Sequence, residues 1–312
     1  MTQDRGHLMT EAVNDRSRNI DRMSVAECVD LMNSEDATVA GAVAAARSDI
    51  VAAVELVAAA FRVGGRLIYV GAGTSGRLGV VDASECPPTF LSEPQMVQGI
   101  IAGGDRAMFR SIEGAEDDPE GAVELLKERK VEPKDVVFGI ATGGTTPFVH
   151  GAIRYARQVG AKTVFFACVP REQCVDEADV SIRVLVGPEV ITGSTRLKAG
   201  TATKMVLNIV TTISMVQIGK VYENLMVDVN AYANRKLVDR GARIIAAITG
   251  LDRKKSLELL HAAKGRVKIA MVMHLRNVDA ETAQRLLAEH DGKVRAVMDV
   301  DFRPDVDIRP DV

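Results

Sequence analysis

The chain contains no tryptophan, and aromatic residues make up only 4% of its 312 positions. A platform of stacked bases for single-stranded nucleic acid is therefore not expected. Neither sign of charge dominates: 39 Lys and Arg stand against 42 Asp and Glu, interspersed and without a basic block. That leaves no electrostatic footprint for a nucleic-acid partner. No apolar run reaches the ~18 residues of a membrane-spanning helix. The opening MTQDRGHLMTEAVNDRSRN is polar and lacks the apolar core of a signal peptide. Cys28, Cys86, Cys168 and Cys174 form no Cys-x-x-Cys pair and have no histidine at metal-ligand spacing. Reduced, packing cysteines in a cytoplasmic protein are expected, with no metal site. The histidines show no triad pattern, and His150 falls inside a predicted helix.

What the chain does have is apolar content, 47% of its residues, enough for one large α/β domain or one domain plus a small appendage. A short helical pattern covers VAECVDLMNSED, and the Ala- and Val-rich residues 36–63 predict one long helix. Strand patterns follow in RLIYVGAG, MVQGIIAGG, DVVFGIATGG, KTVFFACVP and SIRVLVGP, most of them leading into a helix. Runs apolar on both faces and separated by helices predict a doubly wound, mainly parallel sheet. KAGTATKMVLNIVTTISMVQIGK predicts a further long helix. After about residue 240 three short helices are expected, with Asp279 as a cap and Gly292 as a break in the last. The tail DVDFRPDVDIRPDV repeats RPDV and reads as extended or disordered.

Three loops of small residues stand at predicted strand ends. GAGTSGR (71–77) places Gly73, Thr74 and Ser75 at a helix N-terminus, where an anion is favoured. It lacks the Gly-Lys-Ser/Thr of a Walker A loop and is no complete GxGxxG. ATGGTTP (141–147) repeats the form with Thr142, Gly144, Thr145 and Thr146, and Pro147 suits the first helical position. TGSTRLKAGT (192–201) offers Ser194, Thr195 and Lys198. Any one loop is equally well an ordinary tight turn. Together, at the carboxyl ends of strands in one sheet, they point to a shared crevice for a small phosphorylated ligand rather than a dinucleotide.

Two stretches carry candidate acids. In GVVDASECPP, Pro87 disfavours helix at Cys86, so the helix is expected to end near Glu85. A carboxylate at the negative end of a helix dipole favours its protonated form, which suits a general acid. In DRAMFRSIEGAEDDPEG, Gly114 suits a helix C-terminus, and Asp118-Pro119 reads as cap and first position of the next helix. Glu116 then sits in a tight connection, where capping and solvation are the ordinary alternative for it and its acidic neighbours.

GAGTSGRLGVVDASECPPTF, IAGGDRAMFRSIEGAEDD and GPEVITGSTRLKAGTATK resemble the N-acetylmuramic acid 6-phosphate etherases over about residues 10–300. The third stretch is also similar to a signature shared with the glucokinase regulatory proteins. The resemblance implies a sugar isomerase (SIS) domain at 51–235, after an N-terminal helical segment at 1–50. A C-terminal helical, UBA-like module at 236–300 and a tail at 301–312 follow. It further implies a cytoplasmic homodimer acting on a phosphorylated amino sugar in cell-wall sugar catabolism or recycling, with no cofactor. The implied chemistry is elimination of D-lactate from C3 followed by hydration, with Glu116 as the C2 base and Glu85 as the acid. Gly73, Thr74, Ser75, Thr142, Gly144, Thr145, Thr146, Ser194, Thr195 and Lys198 become the implied substrate-binding set.

Two features cut across this reading. If the helix begins near Gly76, Glu85 lies about 14 Å along it, beyond a hexose phosphate held at that helix's own N-terminus. Glu85 then serves a phosphate held by the second loop or by a partner subunit, unless the helix is cut short. Etherases also commonly carry Ser where this chain has Gly143, which leaves Thr142, Thr145 and Thr146 to compensate. A non-catalytic sugar-phosphate sensor is the alternative reading. The length disfavours it, because the regulatory proteins carry two such sugar domains and this chain holds one. An aldose–ketose isomerase on the same fold is disfavoured by DASECPP and EGAEDD.

Overall fold

The apolar runs form strands β1 (Leu67–Gly71), β2 (Val97–Ile101), β3 (Val136–Ile140), β4 (Lys162–Ala167) and β5 (Val180–Arg183). The computed structural model describes residues 5–229, 231–233 and 235–299, so the RPDV tail lies outside the described residues. All five strands pair in parallel, in the order β2-β1-β3-β4-β5. Every residue of β1 and β3 is buried, as strands covered on two faces require. The strand order reverses at β1 and β3. The loops leaving their carboxyl ends therefore diverge and open a crevice.

Helix α1 (Val25–Asp36) begins at a reciprocal capping box between Ser24 and Glu27. The single helix expected over 36–63 is instead two, α2 (Val39–Ala45) and α3 (Arg47–Arg62). The break falls at buried Ala46, whose N–H bonds to the Val43 carbonyl in the tighter three-residue pattern. An Ala-rich run carries no local stop signal, so packing sets the break. On α3, Ile50, Ala53, Val54, Val57, Ala58 and Phe61 form the buried face.

Helix α4 spans Gly73–Phe90, so the expected end near Glu85 is corrected. Pro87 and Pro88 remove two helical N–H donors, yet the helix continues through them. Cys86 and Phe90 are buried on either side of the prolines, and that packing outweighs the local preference against helix before proline. Leu91, at φ 48°, ends it. Near its start α4 lies directly on the sheet. A Cβ on Gly76 would stand 2.7 Å from both the Gly71 carbonyl oxygen and Ile101 Cγ1.

Helices α5 (Pro119–Glu128) and α6 (Pro147–Gln158) start as the sequence indicates, each with proline in its first turn. Helix α7 (Lys198–Gln217) is capped by buried Glu189, whose carboxylate accepts the Lys198 and Ala199 N–H groups at 3.0 and 2.9 Å. Burial pushes the Glu189 carboxyl up, and those two N–H groups oppose it. Asp82 on α4 accepts from Tyr69 Oη at 3.0 Å and from Asn208 and Thr211 of α7 at 2.8 and 3.3 Å. One buried carboxylate thereby ties β1, α4 and α7 together.

The chain divides into two units. The first holds the described residues up to Pro87 together with Ser92–Ser214; the second holds Pro88–Leu91 and the described residues from Met215 onward. The second unit contains the short pair β6 (Val221–Tyr222) and β7 (Leu225–Met226), then α8 (Arg235–Thr249), α9 (Arg253–Ala262), α10 (Val267–Arg276), α11 (Ala280–Glu289) and α12 (Val294–Asp299). Its core gathers Ile245, Leu260, Val267, Met271 and Leu287. Asp279 caps α11 through the Thr282 N–H, and Gly292 at φ 70° separates α11 from α12, both as expected. Helix α8 was not anticipated.

Candidate active site

The site is built where β1 ends. Gly73, at φ 53°, turns the chain from the strand into α4, so the first N–H groups of that helix face the crevice. The connection from β2 to α5 returns over the same place. Its left-handed Gly114 leads into a short 3-10 helix, Ala115–Asp117, and Asp118 caps α5 through the Glu120 and Gly121 N–H groups. The Asp118-Pro119 cap is as the sequence indicates, whereas Gly114, expected to end a helix, instead starts one, because residues 109–113 before it are not helical. Together these turns set Glu116 beside Gly73 in a cleft of about 220 Å³ whose polar lining also includes Arg77, Ser111 and Glu113. Arg77 Nε donates to the Met108 carbonyl at 3.1 Å, which ties α4 to this connection.

Of the first loop's expected residues, Gly73 lines this cleft, Ser75 is buried and Thr74 is half-buried. Thr74 faces the third loop's helix: a Cβ on Gly200 of α7 would lie 3.7 Å from Thr74 Cγ2. In the second loop Thr142 is buried, and Gly144 adopts φ 82°. The Gly144 carbonyl accepts from Cys174 Sγ and His150 Nε2, each at 2.7 Å. That geometry requires the proton on the His150 Nε2 and gives this histidine a structural task. Thr145 and Thr146 are half-buried, and the Thr146 side chain makes no capping bond to α6.

In the third loop Ser194 and Thr195 are half-buried in the turn before α7. Lys198 is not brought to the cleft. Its ammonium is buried on Glu35 of α1, with Nζ 2.6 Å from Oε2. Burial opposes the Glu35 charge, but Lys198, Asn14 and Arg16 together outweigh it and hold the carboxyl below its usual range. Glu85 is also apart from the cleft. It is exposed on α4, twelve positions beyond Gly73, about 18 Å along the axis. The helix is not cut short, which removes one of the sequence-based explanations for that distance.

Arg77, Ser111 and Glu113 escaped the sequence reading although all three lie inside the quoted motifs. Their signal was proximity to Gly73 and Glu116, which only the crossing of two loops reveals. Among the described residues no group of His, Cys, Asp and Glu gathers as a metal site. No described helix is long and apolar enough to cross a membrane.

Residues 49–157 match the family model described as the glucokinase regulatory protein N-terminal SIS domain. The chain is 54% identical to an N-acetylmuramic acid 6-phosphate etherase of Crocosphaera subtropica over 296 residues, covering 95% of this chain and 97% of that protein. It is 55% identical to the etherase of a Nostoc species over 293 residues, 94% of this chain and 95% of that protein. Among solved structures it is similar to a phosphoheptose isomerase from Francisella tularensis, at 17% identity and a TM-score of 0.45, over 62% of this chain and 98% of that one. The parallel five-stranded sheet, with a cleft where β1 and β2 end, is that of an SIS-type α/β protein. Within that class, near-full-length identity above half places it further. The chain belongs to the N-acetylmuramic acid 6-phosphate etherase family.

Proposed function

We propose that this chain cleaves the D-lactyl ether of N-acetylmuramic acid 6-phosphate, giving N-acetylglucosamine 6-phosphate and D-lactate. The observation that carries the reading is Glu116 set beside the α4 N-terminus in one cleft. In the open-chain sugar the aldehyde acidifies the C2 proton, and Glu116 removes it. The C3–O bond to lactate breaks as the C2–C3 alkene forms, with a proton delivered to the departing oxygen. Water then adds its hydroxyl at C3, and a proton returns to C2. The helix N-terminus and the hydroxyl-bearing loops supply donors for the phosphate.

The acid role falls to Glu85, and its place on α4 is best explained by a homodimer. Roughly 18 Å along one helix cannot be spanned by one side chain. Glu85 of the partner subunit would therefore complete each cleft. Work in the cytoplasm fits the four free cysteines. The SIS-domain match to a regulatory protein motivates the sensor reading, but near-full-length likeness to etherases disfavours it.

The test is release of D-lactate from N-acetylmuramic acid 6-phosphate, run in heavy-oxygen water so that C3 of the product carries the label. Glu116→Gln should lower kcat by about 10²- to 10⁴-fold while product binding persists. Sugar-phosphate binding by the unaltered protein without lactate release would instead establish the sensor.

A further inference from the structure

The N-terminal segment lies on the second and third loops. Leu8 is buried with Ala141, Val149, Phe165 and Val169, and the Met9 N–H donates to Gln173 Oε1 at 2.8 Å. These contacts fix the segment beside Gly143. A Cβ built on Gly143 would stand 2.9 Å from Arg5 Nη2 and 3.6 Å from Thr10 Oγ1. The Thr10 side chain is 1% exposed, and its hydroxyl has no hydrogen-bond partner. An orphaned buried hydroxyl is costly unless something else satisfies it.

Of the neighbouring groups, Arg5 and the start of α6 favour negative charge, and the Glu11 carboxylate opposes it. Thr146 begins α6 without a side-chain cap, so the positive end of that helix is not closed by its own residue. Arg5 is 3.8 Å from Glu11, an ion pair too long for a hydrogen bond. Its guanidinium can thus turn its donors to a ligand without breaking a short contact. Glu11 in turn faces Gly193 of the third loop, 3.0 Å from where a Cβ there would stand.

We propose that Arg5 and Thr10 complete an anion site on the second loop, occupying the space that a side chain at 143 would fill. The site takes an anionic group of the substrate, either its phosphate monoester or its lactyl carboxylate. This rests on the etherase reading for the identity of the substrate, but not for the existence of the site. The segment therefore acts in substrate recognition, and Gly143 leaves room for it.

Arg5→Met and Thr10→Val are compared with the unaltered protein by calorimetry with inorganic phosphate and N-acetylglucosamine 6-phosphate, and by D-lactate release. Arg5→Met should weaken binding or raise KM about ten- to a hundredfold, the range of a lost charged hydrogen bond. kcat should be little changed, and Arg5→Lys should recover part of the loss. Weakened binding of both phosphate ligands assigns the site to the phosphate. A raised KM with unchanged binding of the sugar phosphate assigns it to the carboxylate, which that product lacks. Gly143→Ser in the Arg5→Met background should restore affinity, because a hydroxyl then enters the vacated space. Unaltered ligand affinity and KM in both single variants, with normal thermal unfolding, overturn the proposal. If the unaltered protein releases no lactate, the etherase reading fails, and unchanged binding of both phosphate ligands in the two single variants then overturns the proposal.

Discussion

Replacing Lys198 by Met separates two roles that its position in the third loop would allow. The Lys198 ammonium is 2.6 Å from Glu35, and the two side chains are only 3% and 7% exposed. Met keeps most of the aliphatic stem and removes the charge, which leaves Glu35 buried with Asn14 at 3.0 Å and Arg16 at 2.6 Å. Removing one partner of a buried pair costs about 3–5 kcal/mol. The remaining Arg16 contact points to the lower end, about 3 kcal/mol, because its side chain is 57% exposed and holds Glu35 less firmly. For a unit of this size that corresponds to about 6–12 °C in Tm.

The pH dependence has a definite sign. Glu35 is held below its usual range in the folded protein, so its stabilisation is present above the unfolded-state pKa and lost as pH falls through the folded one. Without Lys198 that loss should begin at higher pH. Urea unfolding followed by circular dichroism between pH 7 and 4, with Glu35→Gln and the double variant, gives the coupling. A Lys198→Met protein within about 0.5 kcal/mol of the parent, the ordinary range of surface substitutions, would refute the buried-pair argument. A raised KM at unchanged stability would return Lys198 to the substrate.

Two further outcomes concern how α4 is held. Asp82→Ala leaves Tyr69, Asn208 and Thr211 without their shared acceptor and should cost about 2–4 kcal/mol in urea unfolding. Burial raises the Asp82 carboxyl, so the stability it gives is fully present below the unfolded-state pKa and declines as pH rises through the folded one. Asp82→Asn should remove that slope. Gly76→Ala drives a Cβ into the Gly71 carbonyl and Ile101, neither of which is a flexible chain end that can swing away. Overpacking of about 1–3 kcal/mol is expected, with weaker sugar-phosphate binding as the α4 N-terminus lifts.

The strands were legible because a buried parallel strand is a local pattern, a short apolar run closed by Gly or Pro. So were the turns at Asp118-Pro119, Pro147 and Asp279, since each depends on the φ range or capping chemistry of one or two residues. The end of α4 was misjudged for the converse reason. Proline biases its neighbour locally, whereas the burial of Cys86 and Phe90 is a property of the folded chain and not of the local sequence. The break at Ala46 carries no local mark for the same reason.

The sequence by itself determined the sheet's strands, the hydroxyl-bearing loops and the presence of both Glu85 and Glu116. Tertiary structure alone decided which of these meet. It brought Glu116 to Gly73, buried Lys198 on Glu35 and laid Arg5 and Thr10 beside Gly143. It also left Glu85 exposed along a helix that runs through two prolines. The physical reason is range. Backbone conformation responds to the nearest few residues, but a site is an intersection of loops set by strand order and by what the core must bury.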